Sequence, residues 1–264
     1  MAEERPRPWL TVVTVVKDAP GDFLRTIESV ASQDLAGVEY VVIDGSRDTS
    51  AVPTCMGAFP NLPVDYVWSA PRGIYPAMNE GLARARGEYV HFANAGDVFY
   101  DPSVLGRVRT AAESTDAPWI FGDVEILSPS GHRVITPRWD YANEKSASFS
   151  RGHFPCHQGT FAKRSLLLAQ GGFDPSYSIV ADYAAFLKLS LVGDPGHLDF
   201  VVATFAEGGV STTQWRESFR QFHRARREIL QPRGRVALRE YRETVKRYAA
   251  VEFYRSVWSK VVRP

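Results

Sequence analysis

The sequence predicts an α/β fold: a mostly parallel sheet flanked by helices, followed by a C-terminal helical extension. Strand-like and helix-like segments alternate from Trp9 to Asp97, the order that winds a parallel sheet through right-handed crossovers. The strand-like runs are β-branched and lack polar alternation, as in WLTVVTVV (9–16) and EYVVI (39–43), which suits strands covered on both faces. Two of the runs end in acid–glycine loops, Asp44-Gly45 and Gly96-Asp97. Ligands of open α/β sheets bind at that carboxyl edge.

The chain has 264 residues, 44% hydrophobic and 23% charged, enough for a full core. A formal net charge of +1 argues against a general nucleic-acid binder, although the C-terminal end is basic. Cys55 and Cys156 are far apart and in no metal-ligand spacing, so neither a disulfide framework nor a zinc site is expected, and a reducing, cytoplasmic setting fits. The opening MAEERPRPW has no apolar run, so no signal peptide is expected. No segment approaches the roughly 20 apolar residues of a membrane span.

In order, Trp9–Val16 reads as the first strand, broken by Lys17-Asp18-Ala19-Pro20. Phe23, Ile27 and Val30 then recur at helical spacing, with Asp22 near the helix start. Glu39–Ile43 is the second strand, Thr49–Phe59 a weaker helix and Val64–Trp68 the third strand. A turn at Arg72-Gly73 leads into an amphipathic helix, Ile74–Arg86, stopped by Gly87. Glu88–Ala93 is a buried strand running into Asn94-Ala95-Gly96-Asp97. Beyond it the pattern changes: a helix from Asp101-Pro102 to Glu113, a strand pair at Trp119–Leu127 and Arg133–Pro137, and an extended stretch from Phe154 to Phe161. A short helix at Leu166–Ala169, an amphipathic helix at Ile179–Leu191 and a strand at His197–Phe205 complete this part. From Gln214 onward the chain reads as basic helix, which divides it into 1–213 and 214–264.

Four polar residues invite a chemical reading, and each has a structural alternative. Asp44 ends a strand before Gly-Ser: it is a loop cap, since Asp and Ser both close turns, or a nucleotide contact. Asp97 follows an apolar strand, and Gly96 clears space before it. A hard cation such as Mg²⁺ needs few protein carboxylates when substrate phosphates and water supply the rest; the alternative, a cap for the next helix, suits Asp101 better. Asp182 lies in the first turn of a helix, where the dipole favours an acid, or it is a general base beside a bound sugar. His157 is a loop or core histidine, or a ligand or acceptor contact. His91, between Val90 and Phe92, reads as structural, as does the Trp215, Phe219, Phe222 stripe.

Together TVVTVVKDA (11–19), IESVASQD (27–34), VVIDGSRDTS (41–50), GIYPAMNEGLARARGEYV (73–90), NAGD (94–97), HQGTFAKRSLL (157–167) and GGFDPSYSIVADYAAFLKL (171–189) resemble the family 2 glycosyltransferases of the GT-A fold, most closely bacterial branches that build cell-surface polysaccharides or glycolipids. The likeness covers about residues 9–210. It implies an inverting hexosyl- or deoxyhexosyltransferase that moves a sugar from a nucleoside-diphosphate donor to a hydroxyl of a glycan, lipid-linked or secondary-metabolite acceptor. On the donor side it implies Thr11, Val13, Asp44, Gly73, Asn79, Asn94 and Asp97, with Asp44 at the nucleobase. Asp97 would hold Mn²⁺ or Mg²⁺ against the diphosphate. Asp182 would be the base, and His157 and Gln158 would lie on the acceptor or donor-sugar side.

Three departures from the pattern stand out. Asn94 and Gly96 leave Asp97 as the sole acid of the metal motif, Pro76 replaces an acid, and Ala184 and Ala185 replace polar residues after the base. A non-catalytic nucleotide-sugar or glycan binder is the rival reading. A dinucleotide oxidoreductase is not supported, because Lys17-Asp18-Ala19-Pro20-Gly21 is no G-x-G-x-x-G turn. The basic tail suggests peripheral contact with the inner face of the plasma membrane, or packing on the domain or on another subunit of a homo-oligomer.

Overall fold

The computed structural model describes residues 7–136, 147–150, 154–209 and 213–261. All seven residues of strand β1 (Leu10–Val16) are buried. The reason is alternation: Val13 and Val15 face one core, Val12 and Val16 the other. Helix α1 (Pro20–Ala31) follows, its Phe23, Ile27 and Val30 turned inward. Next come β2 (Val38–Asp44), α2 (Ala51–Met56), β3 (Val64–Trp68), α3 (Ile74–Arg84) and β4 (Tyr89–Phe92). The second helix is shorter than the sequence suggests, ending at Gly57. Among themselves, strands β1, β2, β3 and β4 pair only in parallel, in the order β3-β2-β1-β4.

Gly81 lets α3 lie directly on β1, since a Cβ there would stand 2.3 Å from Val13 Cγ1. Gly87 admits the chain beside β1 in the same way, a Cβ meeting Thr11 N at 2.4 Å. These two approaches fix where α3 begins, and with it Gly73 and Tyr75.

The later elements are β5 (Val98–Phe99), α4 (Val104–Glu113), β6 (Trp119–Leu127), β7 (Arg133–Ile135), α5 (Ala147–Ser150), a 3₁₀ turn (His157–Gly159), β8 (Thr160–Lys163), α6 (Arg164–Ala169), α7 (Ala181–Val192) and β9 (Gly196–Ala206). They extend the sheet as β4-β8-β6-β9-β5, with β7 paired to β6. Here β8 is antiparallel to both β4 and β6, whereas β9 runs parallel to β6. Pro137, the expected end of a strand, lies outside the described residues.

Two expectations are corrected. The stretch expected to be extended from Phe154 to Phe161 instead closes a 3₁₀ turn at His157–Gly159 before β8 begins, because Gly159 packs so tightly under β6 that a Cβ would meet Gly122 O at 2.6 Å. Helix α7 is not amphipathic: Ala181, Tyr183, Ala184, Ala185, Phe186, Leu187 and Leu189 are all buried. It packs against α6 on one side and against helix α8 (Trp215–Leu230) on another. The small Ala184 and Ala185 allow that enclosure. Helix α9 (Gly234–Val261) closes the chain. No helix among the described residues is long and apolar enough to cross a membrane.

Candidate active site

Two cavities open at the carboxyl edge of the parallel strands. The first, about 350 Å³, is mainly apolar, with Val15, Val16, Ile43, Pro71, Ile74 and Pro76 in its walls and Lys17 and Arg72 at its mouth. The second, about 600 Å³, is polar and contains Asn94, Gly96, Asp97, His157, Gln158 and Asp182. Ile74 borders both.

Asp97 is presented by the turn that ends β4. Gly96 takes φ +103° there, a conformation that costs glycine little. The turn is locked by Thr26, whose Oγ1 accepts from Gly96 N at 2.9 Å and donates to Asp97 O at 2.9 Å. The carboxylate does not cap a helix. Its Oδ2 accepts from Asn94 N at 3.0 Å and its Oδ1 from Gln158 Nε2 at 3.4 Å. Asp101 is the turn-closing acid, its Oδ1 accepting from Ser103 N at 2.7 Å.

The same cavity is lined by Asp182, in the first turn of α7. His157 joins the two acids: Nδ1 lies 3.2 Å from Asp182 Oδ2 and Nε2 lies 3.8 Å from Asp97 Oδ2. Burial disfavours the charged ring, but hydrogen bonds and charges from Asp182 and Asp97 outweigh it and push the His157 pKa up to about 9. Burial by itself would raise the Asp182 pKa. The bond and charge of His157, the Tyr183 backbone N–H and the Tyr75 hydroxyl hold it below the ordinary carboxylate value. At neutral pH the pair is therefore imidazolium and carboxylate. Tyr75 completes the constellation, its hydroxyl lying 3.1 Å from Asp182 Oδ1 and also bonding Ile179 O. Sequence reasoning missed Tyr75: an aromatic in the first turn of an amphipathic helix looks like core, and its ring is indeed buried.

Asn94 Oδ1 is the one buried side-chain polar atom without a partner among the described residues, while Asn94 Nδ2 lies 3.1 Å from His157 Nε2. The amide has two uses. Turned end for end, it accepts the Nε2–H of a charged His157. As it stands, which requires an unprotonated His157 Nε2, Oδ1 is a buried hard oxygen without a partner, and with the Asp97 carboxylate that donor set fits a divalent cation whose other ligands are phosphate and water. No group of three or more His, Cys, Asp or Glu side chains positioned to hold a metal occurs among the described residues.

The remaining expected site residues are placed less directly. Gly73, at φ +115°, turns the chain into α3 and lines the apolar cavity. Asp44 is fully buried and both its oxygens are engaged, Oδ1 by Ser46 N at 2.7 Å and Oδ2 by the Tyr66 hydroxyl at 2.9 Å. Its neighbours Ile43 and Gly45 line the cavity, and Asp44 does not. Asn79 spends both ends of its amide on the Phe173 backbone, at 2.7 and 2.8 Å, and borders only a shallow outer groove with Arg72 and Pro76. Thr11 and Val13 line neither cavity. Thr11 donates to Glu39 and accepts from Gly87 N, at the strand end roughly 16 Å from Val16 by the rise of a β-strand. Val15, Val16 and Lys17 hold the positions facing the cavity. His91 is structural: it stacks on Phe161 at 4.4 Å, and burial lowers its pKa to about 4.

The fold is that of the GT-A glycosyltransferases. Among solved structures, the chain is similar to a mannosyltransferase from Pyrobaculum calidifontis in complex with GDP-Man and Mn²⁺, with TM-score 0.65, 21% identity and coverage of 86% of this chain and 66% of that one. It is also similar to S. aureus TarS 1–349 in complex with UDP, with TM-score 0.62, 18% identity and coverage of 83% and 66%. The model of glycosyl transferase family 2 matches residues 11–167, and the chain belongs to that family. Related proteins include a PGL/p-HBAD biosynthesis glycosyltransferase of Mycobacterium bovis BCG, 28% identical over 214 residues and covering 78% of this chain and 80% of that protein. A second is an uncharacterized glycosyltransferase of Mycobacterium tuberculosis, 28% identical over 222 residues with 78% coverage of each.

Proposed function

We propose that this chain is an inverting glycosyltransferase that moves a sugar from a nucleoside-diphosphate donor to an acceptor hydroxyl. The observation that carries the reading is one cavity lined by both Asp97 and Asp182, with His157 between them, opening beside a mainly apolar cavity of about 350 Å³. The base and ribose occupy the apolar cavity between Ile43, Pro71 and Ile74. Asp44 acts there by holding Ser46 and Tyr66, which shapes the loop without a direct bond to the base. Lys17 and Arg72 lie at the mouth, where they can meet phosphate.

The Mn²⁺ bound with GDP-Man in the Pyrobaculum mannosyltransferase supports a divalent cation here too, taken by Asp97. When bound, that cation stabilises the negative charge of the departing diphosphate. Asp182, ionised at neutral pH, receives the proton of the acceptor hydroxyl as its oxygen bonds to the anomeric carbon and the bond to the diphosphate oxygen breaks. Attack from the Asp182 wall, opposite the leaving group, inverts the anomeric centre. His157 and Tyr75 hold the Asp182 carboxylate along that line, since orientation governs such displacements. Gln158 keeps Asp97 turned into the cavity. The resemblance to branches that build cell-surface polysaccharides or glycolipids supports an acceptor hydroxyl on a glycan or lipid-linked glycan.

A thermal-shift screen of UDP-, GDP- and dTDP-sugars with Mn²⁺ or Mg²⁺, followed by a transfer assay on the donor that stabilises, tests this. One donor should stabilise the chain only with the cation and should be consumed when acceptor is added. Stabilisation without transfer over a broad acceptor panel would favour the non-catalytic binder.

A further inference from the structure

We infer that the outer face of α9 docks on an anionic lipid surface. Charge is divided sharply along the chain: residues 214–264 hold 14 Lys and Arg against 5 Asp and Glu, a net +9, and residues 1–213 are left with a net −8. The structure shows which face of the tail is spoken for. Arg226 on α8 is buried and bonds Glu240 and Thr244 on the inner face of α9. Beside that face lie Leu238, Tyr241 and Val245, which are 59, 56 and 47% exposed, the Tyr241 ring standing edge-on to His223 of α8 at 5.9 Å. Their i, i+3, i+7 spacing makes one apolar stripe. Arg235, Arg239 and Arg242, all exposed, make a second stripe at i, i+4, i+7 directly alongside it. An apolar stripe flanked by arginines is the pattern of a helix lying in a bilayer interface. A second copy meeting this face across a two-fold axis would oppose the arginine stripe to itself, so the charge favours lipid.

The position of the hairpin gives the docking a use, and only this part rests on the transferase reading. Gln221 on α8 accepts from Ile179 N at 3.0 Å and donates to Ser178 Oγ at 2.8 Å. Ser178 and Ile179 line the polar cavity beside Asp182. A docked α9 therefore holds the acceptor rim close to the surface from which a lipid-linked hydroxyl would be presented.

Flotation of the full chain with vesicles tests the inference without reference to catalysis. The protein should float with phosphatidylcholine vesicles containing phosphatidylglycerol and not with phosphatidylcholine alone. The triple variant R235E/R239E/R242E should lose vesicle binding by on the order of fivefold or more per arginine. L238S/V245S should weaken binding that remains at high salt. Both variants alter exposed positions, and an unchanged melting temperature confirms that they fold. No flotation with anionic vesicles at low salt would overturn the inference. So would a dimer in sedimentation that the triple variant dissociates while wild-type flotation is nil, because the occupant would then be a second copy. Failure of sugar transfer with flotation intact would count against the transferase reading alone.

Discussion

Replacing His157 with Gln should remove a specific part of the pH dependence of stability. The ring sits between two carboxylates, 3.2 Å from Asp182 and 3.8 Å from Asp97, and its pKa is raised from 6.5 to about 9. A group with a raised folded pKa binds its proton more tightly in the folded state. Its contribution is therefore complete below pH 6.5 and is lost as pH climbs through 9. At 1.36 kcal/mol per pKa unit the shift corresponds to about 3 kcal/mol. In metal-free buffer, urea unfolding of the wild-type chain should lose stability of that order between pH 6.5 and 9.5. His157→Gln should be less stable at pH 6.5 and nearly flat across the same window. A wild-type midpoint that does not move, or a variant with the wild-type slope, would refute the assignment of charge to His157.

Two further substitutions test other parts of the account. Asp97→Ala should abolish the Mn²⁺ dependence of nucleotide binding in calorimetry; affinities equal to wild type with and without Mn²⁺ would take Asp97 out of the cation site. Gly81→Ala should destabilise the fold by about 1–3 kcal/mol through overpacking, since its Cβ would stand 2.3 Å from Val13 Cγ1. Unchanged unfolding would mean that α3 can lift off β1 freely.

The first half of the fold was legible because its signals are local. Runs such as LTVVTVV are covered on both faces, and the loops that follow them carry the acids. Asp97 and Asp182 could be picked out, yet nothing local showed that a third residue would lie between them. His157 reaches that place only because a 3₁₀ turn, invisible in a stretch that reads as extended, is forced by the contact of Gly159 with β6. The β6–β9 pairing, between strands 76 residues apart at Ile120 and Gly196, likewise has no local signature. Helix α7 misled for the opposite reason. Its polar residues Asp182 and Lys188 suggest a solvated face, but Asp182 points into the cavity and Lys188 reaches Gln170 O. Thr11 and Val13 show that a strand can be identified correctly while the residues at its working edge are not. The cavity begins at Val15, where the strand approaches its end.

The most direct test is sugar transfer by Asp182→Asn, measured in a sample whose donor binding is determined at the same time. The amide keeps the size of the carboxylate but cannot take the acceptor proton. Donor affinity should stay within a few-fold of wild type while transfer falls by about 10²- to 10⁴-fold, the usual worth of a general base. Undiminished turnover by this variant would contradict the account at its centre.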